Sequence, residues 1–375
     1  MATKKKSATP EVTIKTDLLQ DMVTRAAKGA SNDKTLPLTQ MMAISLKDSV
    51  FSLATSDGTN YLYIRKDKMK GEDFYAVVPV DVFAKLISRT TSENVVLIRD
   101  ENTLTVSGNG SYVLELPTED DGEIVQYPNL LEEDDFTQAE VLAKEVNLST
   151  MKLILDTCKS ALATTLDVPC YTGYYMGERV LATDTYKISA IDVKLFDEPI
   201  LMSPEMMNLF EVMTAEKIEI RANNSDVYAV TADCVICGKS MEFIDDFASD
   251  KIQALVDEEF ESSCKISKAG ILSLLDRVSL FVGAYDQGAI RLTFDKTGLI
   301  VESKQASAKE IIPYIESNNF KPFTCTIHHE MLAQQIKSNP VDALTLYYGD
   351  DSSIKFVDGN VTQVVALLDE DEIED

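Results

Sequence analysis

Apolar positions along the chain fall into six clusters with the i, i+3, i+4 spacing of a helix that buries one face. The first carries Leu18, Leu19, Met22, Val23 and Ala26, the second Val82, Phe83, Leu86 and Ile87, and the third Met151, Ile154, Leu155, Cys158 and Leu162. The fourth carries Met206, Leu209, Phe210 and Met213, the fifth Ile271, Leu274, Leu275 and Val278, and the sixth Met331, Leu332 and Ile336. Helix starts at Thr16, Val80, Ser149, Ser203, Ser267 and His328 recur about every 60 residues, which predicts one supersecondary unit used six times.

Between these clusters the pattern switches to alternating or continuous apolar runs bounded by turn residues: 50–65, 94–116, 289–303 and 343–368. Asp57-Gly58, Asp295 to Gly298 and Gly349 to Ser352 are hairpin turns between such runs. Each unit therefore reads as one helix followed by antiparallel strands. A sheet so small gains most of its stability by packing against a second copy, so two units make a domain. The acidic stretches LLEEDDF (130–136) and VDEEFESS (256–263) place boundaries near 140 and 260. The expected class is α+β, with three similar domains at 11–139, 140–260 and 261–368. The polar ends, 1–10 (basic) and 369–375 (acidic), are expected as disordered tails.

Composition narrows the function. Hydrophobic residues make up 45% of the 375, yet no apolar run approaches the roughly 20 residues of a membrane span, and no apolar stretch follows the first lysines as in a signal peptide. Six scattered cysteines, Cys158, Cys170, Cys234, Cys237, Cys264 and Cys325, suit reduced thiols in a cytoplasm. With 35 Lys and Arg against 62 Asp and Glu, the net charge of -27 should repel nucleic acid.

Chemical motifs are sparse. Gly238-Lys239-Ser240 lacks the glycine of a phosphate loop, because Asp233 stands in its place and no helical pattern follows. Cys234 and Cys237, three apart in a strand, face opposite sides and read as buried thiols, not metal ligands. His328-His329-Glu330 has Ala333 where a zinc-protease motif needs its second histidine, and Gly108-Asn109-Gly110 is a hairpin turn. In VLATDTYKISAIDV (180–193), Tyr186 and Lys187 are adjacent in a strand, so they cannot converge on one substrate atom. The plain reading there is a loop-to-strand corner whose polar residues cap a turn. No cofactor, metal or catalytic constellation emerges.

Several stretches, taken in order, resemble the bacterial sliding clamp, the beta subunit of the replicative DNA polymerase, or a divergent viral version of it. They are TLPLTQMMAISL (35–46), AVVPVDVFAKLISR (76–89), LTVSGNGSYVLELP (104–117), QYPNLLEEDDF (126–136), VLATDTYKISA (180–190) and GAIRLTFDKTGLIVES (288–303). The resemblance implies a non-enzymatic processivity factor in the cytoplasm of a bacterial cell, or of the host if viral. Two copies would close head to tail into a ring of six domains around double-stranded DNA, set there by an ATP-dependent clamp loader and tethering the replicative polymerase. Enclosure also answers the charge problem, since a ring needs only a modestly basic lining. That lining would be Arg25, Lys28, Lys34, Lys85, Arg89, Lys152, Lys159, Lys268, Arg277 and Lys337.

The family's partner-peptide pocket carries a Thr-Asp-Gly-His-Arg-Leu pattern, matched here by Thr183, Asp184, Thr185, Tyr186, Lys187 and Ile188. Ile354 and the strand ending in Val364, Val365, Ala366, Leu367 and Leu368 would complete it. The glycine and histidine of the pattern are replaced, and the family's Met-Pro-Met-Arg-Leu ending is replaced by ALLDEDEIED, so peptide preference is expected to differ, with the acidic tail either partly masking the pocket or favouring basic partner motifs. At the dimer seam, Tyr112 and Leu114 would face Phe281 and Val282. The competing reading is an acidic DNA mimic or clamp-partner inhibitor with a clamp-like fold, which would need no basic lining. An enzyme reading, hydrolase or nucleotidyl transferase, would need clustered carboxylates or a nucleophile in a cleft.

Overall fold

The computed structural model describes residues 10–31, 33, 35–119, 122–127, 135–223, 225–283, 287–305 and 307–369. Among these, the α-helices are α1 (Thr16–Ala26), α2 (Val80–Ser88), α3 (Asp135–Gln138), α4 (Leu148–Cys158), α5 (Pro204–Leu209), α6 (Ser249–Asp257), α7 (Lys268–Val278) and α8 (His329–Ser338). Six begin within one residue of the positions predicted from periodicity, while α3 and α6 are additions. The fourth predicted helix is short: α5 gives way to a 3-10 turn at Phe210–Val212, although Met206, Leu209, Phe210 and Met213 are all buried as expected.

The chain divides into two compact units, Met1–Leu148 with Glu205–Ser240, and Ser149–Pro204 with Met241–Asp375. In the first unit an eight-stranded antiparallel sheet runs Phe74–Pro79, Met41–Lys47, Val50–Ser56, Tyr61–Lys66, Cys234–Lys239, Asp226–Val230, Lys217–Ala222, Glu140–Asn147. A smaller sheet orders Glu11–Lys15, Asn94–Asp100, Thr103–Ser107 and Ser111–Glu115, leaving the last as an edge. In the second unit a nine-stranded sheet runs Ile200–Met202, Tyr174–Met176, Val180–Thr183, Lys187–Ile191, Val361–Ala366, Ser353–Asp358, Ala343–Tyr348, Ser262–Ser267, Glu316–Asn318. Its companion orders Lys309–Ile312, Gly298–Ser303, Ala289–Asp295 and Phe323–His328.

Both large sheets run across a predicted boundary. Leu62 pairs with Ile236 in the first unit, and Ile188 with Val364 in the second. Backbone groups on both sides of each boundary are thereby paired, which removes two sheet edges from solvent.

The helices bury the stripes that predicted them. Leu19, Met22, Val23 and Ala26 of α1 are buried, and α1 lies on Val50–Ser56 and Tyr61–Lys66, where the Thr55 hydroxyl donates to the Ala26 carbonyl at 2.6 Å. α1 also packs on α2, and the Gln20 side-chain amide donates to the carbonyls of Ile87 (2.9 Å) and Thr90 (3.0 Å). α7 and α8 pair in the second unit over a core that includes Phe294, Leu332, Ile336 and Tyr348, with the Phe294 and Tyr348 rings stacked 3.8 Å apart. Truncating such a ring to alanine costs about 3–5 kcal/mol.

Turn chemistry follows the sequence. The Asp57 carboxylate accepts the N–H groups of Thr59 and Asn60, Asp295 accepts that of Thr297, and Asp350 that of Ser352. Gly108 to Gly110 links two paired strands, as a hairpin turn should. Gly238 sits inside a strand, where a Cβ would stand 2.4 Å from Asn60 Oδ1 and 2.7 Å from Met206 Sδ, so close packing explains this glycine. All six cysteines are buried and free. Burial pushes the Cys234, Cys237, Cys264 and Cys325 thiols up to about 12, and raises Cys158 and Cys170 as well.

Candidate functional site

Thr183 to Ile188 form the hairpin between strands Val180–Thr183 and Lys187–Ile191. The Asp184 carboxylate accepts the backbone N–H of Tyr186 (3.0 Å) and of Lys187 (2.7 Å). The Thr183 hydroxyl accepts from Thr185 N (3.0 Å) and donates to the Lys187 carbonyl (2.8 Å). Short polar side chains thus close the turn, as an Asx-type corner requires. Thr185 sits at φ +80°, in the left-handed region where a β-branched residue is strained.

Lys187 is buried, its side chain 7% exposed, and its ammonium reaches three acceptors: the Ser160 carbonyl at 2.6 Å, Gln334 Oε1 at 2.7 Å and Asp184 Oδ2 at 3.2 Å. An ammonium has three donors, so this set satisfies it. Lys187 therefore ties the hairpin to the 3-10 turn Lys159–Ala161 and to α8.

Ala366 N–H donates to the Tyr186 carbonyl (2.8 Å), and Leu367 and Leu368 continue beside it, so the hairpin and the end of the last strand form one surface. On it Tyr186 is 55% exposed and Ala366, Leu367 and Leu368 are partly exposed. Ile188 and Val364 are covered by Ile252 and Val256 of α6, in a cluster with Cys170 and Phe247. Ile354 is no part of this surface: it faces the opposite side of the sheet, wholly buried in the core with Val365, Leu332 and Ile336. Strand alternation is the reason, since Ile354 pairs with Val365 while Val364 points the other way.

Sequence reasoning missed α6, reading its end as an acidic boundary. Ile252, Leu255 and Val256 carried the signal at i, i+3 and i+4. α6 is anchored at its C-terminus by Lys355, a buried side chain whose ammonium donates to the carbonyls of Val256 (3.0 Å) and Glu258. Burial lowers the proton affinity of Lys355. Arg179 adds ion pairs to Asp192 (2.5 Å) and Asp257 (2.9 Å).

The basic positions divide by unit. In the first, Lys28, Lys85 and Arg89 are exposed, with Lys85 paired to Asp81 one helical turn away at 2.8 Å. Arg25 is not a free cation: its side chain is 11% exposed and is spent on the Val212 carbonyl (2.8 Å), Asp233 (2.8 Å) and Asp21 (3.4 Å). Although burial opposes a charged Asp233, its bond to Arg25 prevails and holds the carboxyl below the usual range. In the second unit Lys152, Lys159 and Lys337 are exposed, Lys268 is half-buried, and Arg277 is exposed but bonded through two nitrogens to Glu310 (2.9 and 2.5 Å). Lys34 lies outside the described residues.

The seam residues are surface groups. Tyr112 is 44% exposed and Leu114 partly exposed on the edge strand Ser111–Glu115. In the second unit Phe281 is 53% exposed, Val282 is partly buried, and the edge strand Lys309–Ile312 carries the exposed Ile311. Among the described residues, no helix is long and apolar enough to cross a membrane.

No protein-family model and no curated protein matches the sequence. Solved structures do match. The beta subunit from DNA polymerase of Streptococcus pyogenes superposes with a TM-score of 0.83 at 14% identity, over 96% of this chain and 99% of that one. The DNA polymerase sliding clamp from Bacillus subtilis gives 0.80 at 14% identity, over 96% and 100%. The DNA polymerase III beta subunit from Thermotoga maritima gives 0.77 at 17%, over 96% and 99%. The fold is that of these clamps over 96% of the chain.

Proposed function

We propose that this chain is a DNA sliding clamp: two copies close a ring around duplex DNA and tether a replicative polymerase, without catalysis of their own. The observation that carries the reading is the superposition on DNA polymerase clamps over 96% of the chain, with TM-scores of 0.77 to 0.83. Repeated helix-and-sheet units, legible before any comparison, support it independently. In this reading the chain comprises three domains, 11–139, 140–260 and 261–368. Lys28, Lys85, Arg89, Lys152, Lys159, Lys268 and Lys337 face the duplex, and loose contact from such side chains suits sliding. Arg25 acts as an internal brace.

Closure joins edge strand Ser111–Glu115 of one copy to edge strand Lys309–Ile312 of the other, with Tyr112 and Leu114 against Phe281 and Val282. Pairing would satisfy two open edges at once. The polymerase and an ATP-driven loader dock by short peptides on Thr183 to Tyr186 and Ala366 to Leu368, against the rim of α6. Electron microscopy of the purified chain, with light scattering to fix its mass, tests the assembly: a dimeric ring with an open centre is expected, and a monomer at every concentration on and off DNA contradicts it.

The net charge of -27 favours one other reading, an acidic DNA mimic or clamp-partner inhibitor. Charge reversal at Lys85, Arg89 and Lys159 separates the two, because a mimic keeps its activity and a clamp loses hold of DNA.

A further inference from the structure

Within the second unit, the end of α4, the start of α7 and the end of α8 border an open cleft of about 580 Å³. Three lysines line it, Lys159, Lys268 and Lys337, against one carboxylate, Asp156. In a chain of net charge -27 this is a local reversal of sign. Lys268 is held there by the Asn339 carbonyl at 2.5 Å, which takes one of its three donors. Ser160 and Ser338 fix the wall through a hydroxyl pair at 2.9 Å. Thr157 is the telling residue: it lines the cleft, is wholly buried, and its hydroxyl has no hydrogen-bond partner in the protein. A buried hydroxyl left unpaired is costly, so its place in a cleft lined by three cations points to a ligand that accepts its hydrogen bond.

We infer that this cleft is a receptor for a phosphoryl group, held by Lys268, Lys337 and Lys159 and accepting a hydrogen bond from Thr157. The group belongs either to the backbone of a duplex or to a free phosphorylated molecule. Occupancy by backbone phosphate rests on the encirclement proposed above, whereas occupancy by free phosphate does not. Bound in this way, DNA would be gripped at one fixed point of an otherwise loose lining.

The test is thermal unfolding of the full chain in sodium phosphate against sodium chloride at matched ionic strength, for wild type, Thr157→Val and Lys337→Gln. General salting-out by phosphate acts on all three alike, so the difference between variants isolates the site. Wild type should gain a saturable increase in midpoint, and each substitution should weaken that response about tenfold, the worth of one hydrogen bond to a charged group. In chloride, Thr157→Val should be no less stable than wild type. Lys337 is exposed, so its variant reports even where Thr157→Val folds poorly. No saturable response in wild type, or a response in both variants as strong as that of wild type, overturns the inference. A short duplex added at fixed phosphate then identifies the source: displacement of phosphate marks the backbone, and its absence marks a free phosphorylated ligand. The saturable phosphate response and its loss in the variants are read without a ring, so their failure is distinguishable from a failure of encirclement.

Discussion

Replacing Lys187 by methionine keeps the length of the stem and deletes the ammonium that joins the hairpin to Ser160 and Gln334. The three acceptors lose unequally. Asp184 still receives the N–H groups of Tyr186 and Lys187, and Gln334 is exposed and can turn to water, so neither is orphaned. Only the Ser160 carbonyl loses a partner in a part-buried site. The cost should therefore fall below the roughly 3–5 kcal/mol of a fully buried broken ion pair. It should exceed the about 1 kcal/mol of one neutral hydrogen bond. We expect about 2–3 kcal/mol, read as a lower urea midpoint at unchanged slope. Hydrogen exchange should quicken at Ala366 N–H, which is bonded to the Tyr186 carbonyl. A loss below about 0.5 kcal/mol, the scatter of ordinary surface substitutions, would refute the claim that this ammonium organises the hairpin corner.

Thr185→Gly relieves a β-branched residue at φ +80° and should stabilise the chain by about 1 kcal/mol or slightly less, since glycine also gains freedom in the unfolded state; a lower melting midpoint would count against it. Cysteine reactivity offers a third check: at pH 8 the native protein should show no fast-reacting thiol toward an aromatic disulfide reagent, and six after denaturation, because all six are buried and held protonated. The Arg25–Asp233 pair sets a pH signature. Folding depresses the Asp233 pKa, so the pair's stabilisation is complete above the ordinary carboxylate value of about 3.9 and fades as pH falls through the folded value. The stability gap between wild type and Arg25→Met, measured by urea titration, should be constant from neutral pH down to about 5 and narrow below about 4; a gap that widens in acid would show that the pair is not its source.

Helical periodicity and turn residues carried most of the architecture, because a buried stripe such as Leu19, Met22, Val23 and Ala26 writes its spacing directly into the chain. The hairpin at 183–188 was legible for the same reason: Asp184 and Thr183 make their bonds within four residues. What escaped was long-range. The partners of Arg25 lie on Val212 and Asp233, and those of Lys187 on Ser160 and Gln334, so a pattern-based reading set Arg25 in a basic lining and Lys187 in a pocket rim where folding makes two internal ties. α6 escaped because acidic residues just beyond Ile252 and Val256 resembled a linker. Ile354 was misplaced by one step of strand alternation, which sequence fixes only once the neighbouring strand is known.

The central claim is enclosure of DNA, and topology tests it more directly than affinity. The chain is loaded on a nicked circular plasmid, washed at high salt, and the plasmid is then cut once. Ionic contacts to phosphate weaken steeply with salt, whereas a closed ring is held by geometry. Retention on the circle through the wash, with release on linearisation, is the predicted result. Loss in high salt before cutting, or equal retention on circle and linear DNA, would contradict enclosure.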